Sequence, residues 1–274
     1  MERFADLHLH TVFSDGTLTP QELMQEVKKE NIYAVSICDH DAVDGIEPAV
    51  KESGQLAIEV IPGIELSAEY EAIEVHILGY FIDSGNDELR QRLVFLKHNR
   101  RLRVQRIVEK LRAAGMDINS DSVFALANEA PAGRVHIARV MLKQGIVASI
   151  PEAFYRYIGD NCPAYVAGFK FSPVEAIELV KRCGGIPVLA HPYILKRDNL
   201  IPELADRGLM GLEVYYPEYS QSVINFYLQL AAKLGLLVTG GSDFHGEARA
   251  SVKIGSVKIP YALVERLKAA LAPR

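Results

Sequence analysis

The chain has 274 residues, of which 49% are hydrophobic and 24% charged, with a formal net charge of −5. That length suits one large barrel or two ordinary domains around a sizeable core, and no apolar run approaches the roughly 18 residues of a membrane span. Cys38, Cys162 and Cys183 are odd in number, widely spaced and without a C-x-x-C pair, which argues against a disulfide framework or a cysteine-held zinc. The first residues lead into a strand without a charged and then hydrophobic leader, so the expected compartment is the cytoplasm.

The first apolar run, 4–9, belongs to Asp6-Leu7-His8-Leu9-His10, with Asp15 shortly after. In a strand, residues two apart share a face, so His8 and His10 can reach one ion. Thr19-Pro20 then marks a helix start, with an N-cap followed by proline at the first helical position. The run 33–38 ends in Asp39-His40-Asp41, the run 57–61 leads to Gly63-Ile64-Glu65, and the run 75–81 opens on Glu74-Val75-His76.

From about 86 to 163 the strand signal stops and a helical pattern takes over. Leu93, Leu96, Val104, Ile107 and Leu111 form a stripe at helical spacing, and Arg100 sits on it. Such an arginine either reaches solvent along its stem or turns inward to bind an anion. Nine basic residues lie between Leu89 and Gly115 against one acid, Glu109. They form either a solvated helix face or a surface for phosphate or nucleic acid. His98, among them, reads as a surface residue. Further helices are expected at 120–127, 134–144 and 151–158. Arg134 and His136 fall near the start of the second, where N–H groups favour anions, and both are expected to contact a substrate phosphate.

Strand and helix alternate again after 163. Lys170 stands alone in Gly168-Phe169-Lys170-Phe171 and is a further candidate for substrate phosphate. Ser172-Pro173-Val174-Glu175 is a capping box, and Gly184-Gly185 closes that helix. The runs 186–190, 211–215 and 236–239 follow, with Ala190-His191-Pro192 after the first and Gly241-Ser242-Asp243-Phe244-His245 after the last. Six of the eight histidines thus sit in short polar clusters at the ends of apolar runs, most with a carboxylate beside them. Recurrence at so many strand ends points to one metal-binding rim of a barrel. Alternation predicts a parallel sheet with helices outside, and seven strands are visible. The expected fold is α/β: a distorted, TIM-like (β/α)7 barrel formed by 1–85 and 164–274, with an all-helical insertion at 86–163.

Asp6-Leu7-His8-Leu9-His10-Thr11 with Ser14-Asp15-Gly16, Cys38-Asp39-His40-Asp41, Gly63-Ile64-Glu65, Val75-His76, Ala190-His191-Pro192 and Gly241-Ser242-Asp243-Phe244-His245 resemble, in order, the motifs of the PHP (polymerase and histidinol phosphatase) superfamily. The size, the helical segment and Gly133-Arg134-Val135-His136-Ile137-Ala138-Arg139 look most like its nucleotide phosphatases and 5′-to-3′ exonucleases of short RNA. One departure is Asp160-Asn161-Cys162-Pro163, where relatives commonly carry Gly-Lys-Pro, so a lysine contact to substrate would be missing here.

The resemblance implies three divalent ions: His8, His10, Glu65 and Asp243 around the first, Asp15, His40 and His245 around the second, and Glu65, His76 and His191 around the third. Imidazole mixed with carboxylate suits Zn, Mn or Fe. Asp6, Asp39 and Asp41 either hold the second ring nitrogen of neighbouring ligands or cap turns. Three ions bring +6 against −3 from Asp15, Glu65 and Asp243, which selects a dianionic phosphate. Glu65, Asp15 and His40 are the expected catalytic residues, since water shared by two ions loses a proton near neutral pH and can attack phosphorus in line. Arg134, His136, Arg100 and Lys170 would bind the phosphate. The expected partner is a phosphorylated nucleotide or short RNA, with no membrane and no obligate protein. The alternatives are a histidinol phosphatase, for which a long basic arm has no use, or a non-catalytic module that would have lost ligands.

Overall fold

The computed structural model describes residues 2–128, 130–168 and 171–271. Strands β1 (Phe4–Leu9), β2 (Ala34–Ile37) and β3 (Glu59–Tyr70) alternate with α1 (Pro20–Lys29) and α2 (Ile46–Leu56), and pair in parallel. β1 and β2 are buried almost throughout, as strands covered on both faces must be. β4 (Ile73–Tyr80) follows at once. After a long helical stretch come α7 (Pro173–Arg182), β5 (Ile186–Leu189), α8 (Pro192–Leu195), α9 (Leu200–Asp206), β6 (Gly211–Tyr215), α10 (Gln221–Leu234) and β7 (Leu237–Gly240). β8 (Ile259–Pro260) and α11 (Tyr261–Leu271) end the described chain.

The sheet order is β7-β6-β5-β4-β3-β2-β1-β8. A parallel bridge between Leu9 and Phe244 brings the ring nearly to closure, supported by the His10 N–H donating to the Phe244 carbonyl at 3.0 Å. Here the chain after β7 runs against β1 so closely that a Cβ at Gly241 would lie 2.4 Å from the His8 backbone nitrogen. Only glycine fits that approach.

Two expectations are corrected. The sheet is not wholly parallel, because β4 runs antiparallel to both β3 and β5. And β3 does not stop near residue 61 but continues to Tyr70, pairing with β4 from Gly63↔Tyr80 to Tyr70↔Ile73. The cause is local. Glu71 and Ala72, with φ of 49° and 64°, make a two-residue turn of the left-handed kind, and such a turn joins only antiparallel strands. β8, a strand of two residues paired to Phe4 and Ala5, carries too short an apolar run to be read from sequence.

Between β4 and α7 the chain is helical: α3 (Asp87–Ala113), α4 (Ser120–Ala127), α5 (Arg134–Lys143) and α6 (Ile150–Ala153). The helix expected at 151–158 divides, its second half being a π turn, Phe154–Ile158. α3 serves two cores. Leu89, Leu93 and Leu96 pack with the barrel residues Ile64, Ile77 and Ile177, while Val104, Ile107, Val108 and Leu111 pack with Val123, Ile137 and Met141 of the other helices.

Candidate metal centre

The rim of the barrel gathers its polar side chains from β1, from the turn after β2, from the β3–β4 hairpin and from the ends of β5 and β7. On the hairpin, Ser67 stands opposite His76 and Glu65 opposite Leu78. Directly opposed residues share a face and diagonal neighbours lie within reach, so Glu65, His76 and Glu74 all point to one side. His40 is carried beside them by the bridge between the turn after β2 and Glu65.

Glu65 is the centre of the arrangement and is 1% exposed. Its Oε2 lies 3.2 Å from His8 Nε2, 3.3 Å from His10 Nε2 and 3.2 Å from His40 Nδ1. Its Oε1 lies 2.9 Å from His76 Nδ1 and 3.1 Å from His191 Nε2. Asp243 Oδ1 completes the first group, 3.4 Å from His8 Nε2 and 3.1 Å from His10 Nε2. Asp15 Oδ1 stands 3.2 Å from His245 Nε2, and Asp15 Oδ2 3.9 Å from His40 Nε2.

Three sets of donor atoms, each within 4.8 Å of one another, emerge among the described residues: His8, His10, Glu65 and Asp243; His10, Asp15, His40 and His245; and His40, Glu65 and His76. His191 lies against the third, 3.3 Å from His76. Tetrahedral ligands with bonds of about 2.0–2.1 Å stand about 3.3–3.4 Å apart, close to the 3.1–3.4 Å of the first set. His10 Nε2, Asp15 Oδ1 and His40 Nδ1 are buried without a hydrogen-bond partner. Buried polar atoms are rarely left so unless they await another partner. The donor set therefore fits divalent metal ions.

The charges agree. Although burial pushes Glu65, Asp15 and Asp243 up, the surrounding imidazoles hold all three well below the usual carboxylate range. Burial works against charge on the histidines too, yet Asp243 and Glu65 raise His10 to about 9, and Glu65 and Glu74 raise His76 to about 10. His40, where burial prevails over Glu65 and Asp15, falls to about 3 and is a neutral donor. The carboxylates that favour a positive charge on these imidazoles would favour bound cations in the same way.

The residues holding the outer ring nitrogens differ from the candidates in the sequence. Asp39 accepts from the Thr11 N–H at 2.7 Å, the Thr11 hydroxyl at 2.6 Å and the Ser14 hydroxyl at 2.6 Å, fixing the loop after β1. Asp41 accepts from the Ser67 N–H and from Arg100 Nε, at 2.8 and 2.6 Å. Asp6 accepts from the Ser242 N–H at 2.8 Å. The outer partners are instead Glu213, 2.8 Å from His8 Nδ1, and Glu74, 3.0 Å from His76 Nε2. Glu213, fully buried, was missed among candidates, although an acid inside the apolar run Gly211-Leu212-Glu213-Val214-Tyr215 was signal enough. Arg249, which donates to Asp243 Oδ2 at 2.6 Å, follows no motif that would reveal it.

Of the phosphate candidates, Arg134 lies nearest the third set. It donates to Glu74 and Asp160 at 2.8 and 2.7 Å, and it lines a cavity of about 130 Å³ with His76 and His191. His136 is buried and its Nδ1 accepts from the Gly133 N–H at 3.2 Å, capping its own helix. Arg100 turns inward and is held by Asp41 and Ser67. Lys170 lies outside the described residues. Much of the basic arm is engaged within the chain: Arg101 covers the Phe124 ring, Arg103 donates to Glu74, and Lys110 donates to the Tyr165 carbonyl. His98 is exposed.

The PHP domain matches residues 6–130 of the chain. A 5′-3′ exoribonuclease of Haemophilus influenzae is 31% identical over 89% of this chain and 91% of its own length. A 3′,5′-nucleoside bisphosphate phosphatase of Chromobacterium violaceum is 28% identical over 91% of this chain and 90% of its own. The structure of a metal-dependent phosphoesterase from Bifidobacterium adolescentis superposes with a TM-score of 0.89 at 31% identity, covering 97% of this chain and 95% of that one. With the same overall fold and a relative more than 30% identical matched along nearly the whole length, this chain belongs to the PHP family and is a metal-dependent phosphoesterase.

Proposed function

We propose that the chain hydrolyses phosphate esters of nucleotides, as a 3′,5′-bisphosphonucleotide phosphatase or a 5′-to-3′ exonuclease on short 5′-phosphorylated RNA, with three divalent ions of Zn, Mn or Fe. One observation carries the reading: the two oxygens of Glu65 face different histidine sets, Oε2 toward His8, His10 and His40, and Oε1 toward His76 and His191. A carboxylate so placed would have one oxygen available to each of two ions. We assign His8, His10, Glu65 and Asp243 to the first ion, Asp15, His40 and His245 to the second, and Glu65, His76 and His191 to the third. Bound there, the ions supply Lewis-acid charge and lower the pKa of water.

The chain's own groups do the rest. Asp15 and Glu65, held as carboxylates by neighbouring imidazoles, keep acceptors for a water proton beside the phosphorus. Arg134 offers a guanidinium at the edge of the small cavity beside His76 and His191, where it would orient a phosphate by charge-assisted hydrogen bonds. We treat 86–163 as a helical unit whose task is to present that arginine. His136 and Arg100 support it from behind, the first by capping α5 and the second by its bond to Asp41. Because so much of the basic arm is committed internally, the free positive surface suits a nucleotide or a short strand better than a long one.

The test is a side-by-side assay with Mn(II) on adenosine 3′,5′-bisphosphate, a 5′-phosphorylated RNA dinucleotide and histidinol phosphate. Turnover of either nucleotide substrate at least a hundredfold faster than histidinol phosphate is expected. The reverse order would make the chain a histidinol phosphatase.

A further inference from the structure

A second cavity, of about 550 Å³, opens between α5, α6 with its π turn, and the segment after β7. It adjoins the metal centre directly, since Asp243 and His245 line one side of it. The other walls are chiefly apolar, with Val135 and Leu142 from α5 and Ile150 and Phe154 from the α6 region. Two of its polar groups already have partners: Ser149 Oγ accepts the Glu152 N–H at 3.2 Å, and Arg249 donates to Asp243 at 2.6 Å. Volume and lining are those of a small-ligand site. Walls of this kind hold a flat apolar body by contact area and stacking rather than by reading its hydrogen-bonding edge.

We propose that this cavity receives the base of the nucleotide whose phosphate ester lies at the metal centre. The inference rests on the nucleotide reading above. Charge and apolar surface are divided in the way such a substrate requires. The carboxylate and imidazole cluster, with its cations, and Arg134 draw the phosphates, and the neighbouring walls take the ring out of water. Because Asp243 and His245 belong to both regions, a sugar is linker enough to span them. Recognition by contact also means that the four common bases are turned over within about threefold of one another, since stacking is sequence-tolerant.

Steady-state kinetics of the Mn(II)-loaded protein would compare adenosine 3′,5′-bisphosphate with the same ribose bisphosphate lacking a base. Two variants at exposed wall positions, Ala148→Trp and Leu142→Asp, respectively fill the mouth and place a charge on the wall. The expected result is a KM for the nucleotide at least tenfold below that of the base-free compound. Both variants should then raise the nucleotide KM at least tenfold while leaving base-free turnover and metal content unchanged. Calorimetry adds a readout without turnover, in which adenosine 5′-monophosphate binds the wild type and loses at least tenfold in affinity in both variants. Equal KM for the two compounds in the wild type, or equal losses on both in the variants, would overturn the base site and leave the nucleotide reading standing. Turnover of an aryl phosphate with none of either bisphosphate would overturn the nucleotide reading and this proposal with it.

Discussion

Glu213 holds two parts of the metal centre in register. One oxygen takes His8 Nδ1 at 2.8 Å, and the other accepts the backbone N–H of His191 at 2.9 Å. His191 needs that help, because its φ of 29° lies in the left-handed region, where a non-glycine residue carries about 1–3 kcal/mol of strain. Replacing Glu213 with Gln keeps the volume and removes the charge. The metal-to-protein ratio after dialysis should fall, with affinity reduced about 10- to 100-fold; an unchanged ratio would make Glu213 a packing residue only. His136 gives a prediction of another kind. Burial is the main reason its pKa falls from 6.5 to about 4, so between those values the unfolded chain binds the proton that the folded one refuses. Its contribution is complete above pH 6.5 and is lost as pH falls toward 4, about 3 kcal/mol in all. Asp6, raised to about 6 by burial, pulls the opposite way. A difference measurement removes that contribution: His136→Gln keeps an acceptor for the cap and should flatten the denaturation profile between pH 6.5 and 4 relative to wild type. Identical profiles would show that His136 titrates normally. The candidate metal donors were legible because imidazoles and carboxylates cluster at strand ends. Of the outer carboxylates, Glu74 stood in the quoted cluster with His76, two residues away on one strand, whereas Glu213 showed only as an acid inside an apolar run, and no spacing in the chain records its contact from β6 to His8 on β1.

At the scale of elements, the reversed strand explains the long helix. β4 runs from the rim down to the base of the barrel, so the chain leaves it on the wrong side to serve the centre. α3 carries it back: 27 residues at about 1.5 Å each span about 40 Å. It starts beside the base, where Glu88 pairs with Arg182 at the end of α7, and reaches the rim where Arg100 meets Asp41 and Arg103 meets Glu74. The sequence pattern announced the helix and its stripe, Arg100 included. It did not announce the reversal, because a left-handed two-residue turn is signalled by Asn-Gly or Asp-Gly and this one is Glu71-Ala72. Ala72→Gly tests the point. A left-handed alanine costs about 1–2 kcal/mol, against about 0.4–1 kcal/mol of added chain entropy for glycine, so the variant should gain roughly half a kcal/mol or more. Calorimetry showing a lower Tm would mean that the turn is relaxed by other means.

At the scale of the molecule, the rim concentrates nine side chains able to ligate metal in one place, most of them buried. Cations bound there would satisfy carboxylates and imidazoles that burial has removed from water. Loading with metal at about a hundredfold its dissociation constant adds about 2.7 kcal/mol, which for this size is a Tm rise of about 5–10 °C. Thermal unfolding before and after chelation would measure it, and a Tm that chelation leaves unmoved would remove the metals from the structural role. The nearly closed barrel and its catalytic rim followed from periodicity and clustering. The helical stretch was visible too, its boundaries drawn where strand alternation stops and resumes. Since α3 gives Leu89, Leu93 and Leu96 to the barrel and Val104, Ile107 and Leu111 to the helices, neither half owns it. Cutting out 86–163 would strip Leu89, Leu93 and Leu96 from the barrel wall, so the two parts are expected to unfold together. A lineage could not exchange the helical part for another without first replacing a side of the barrel.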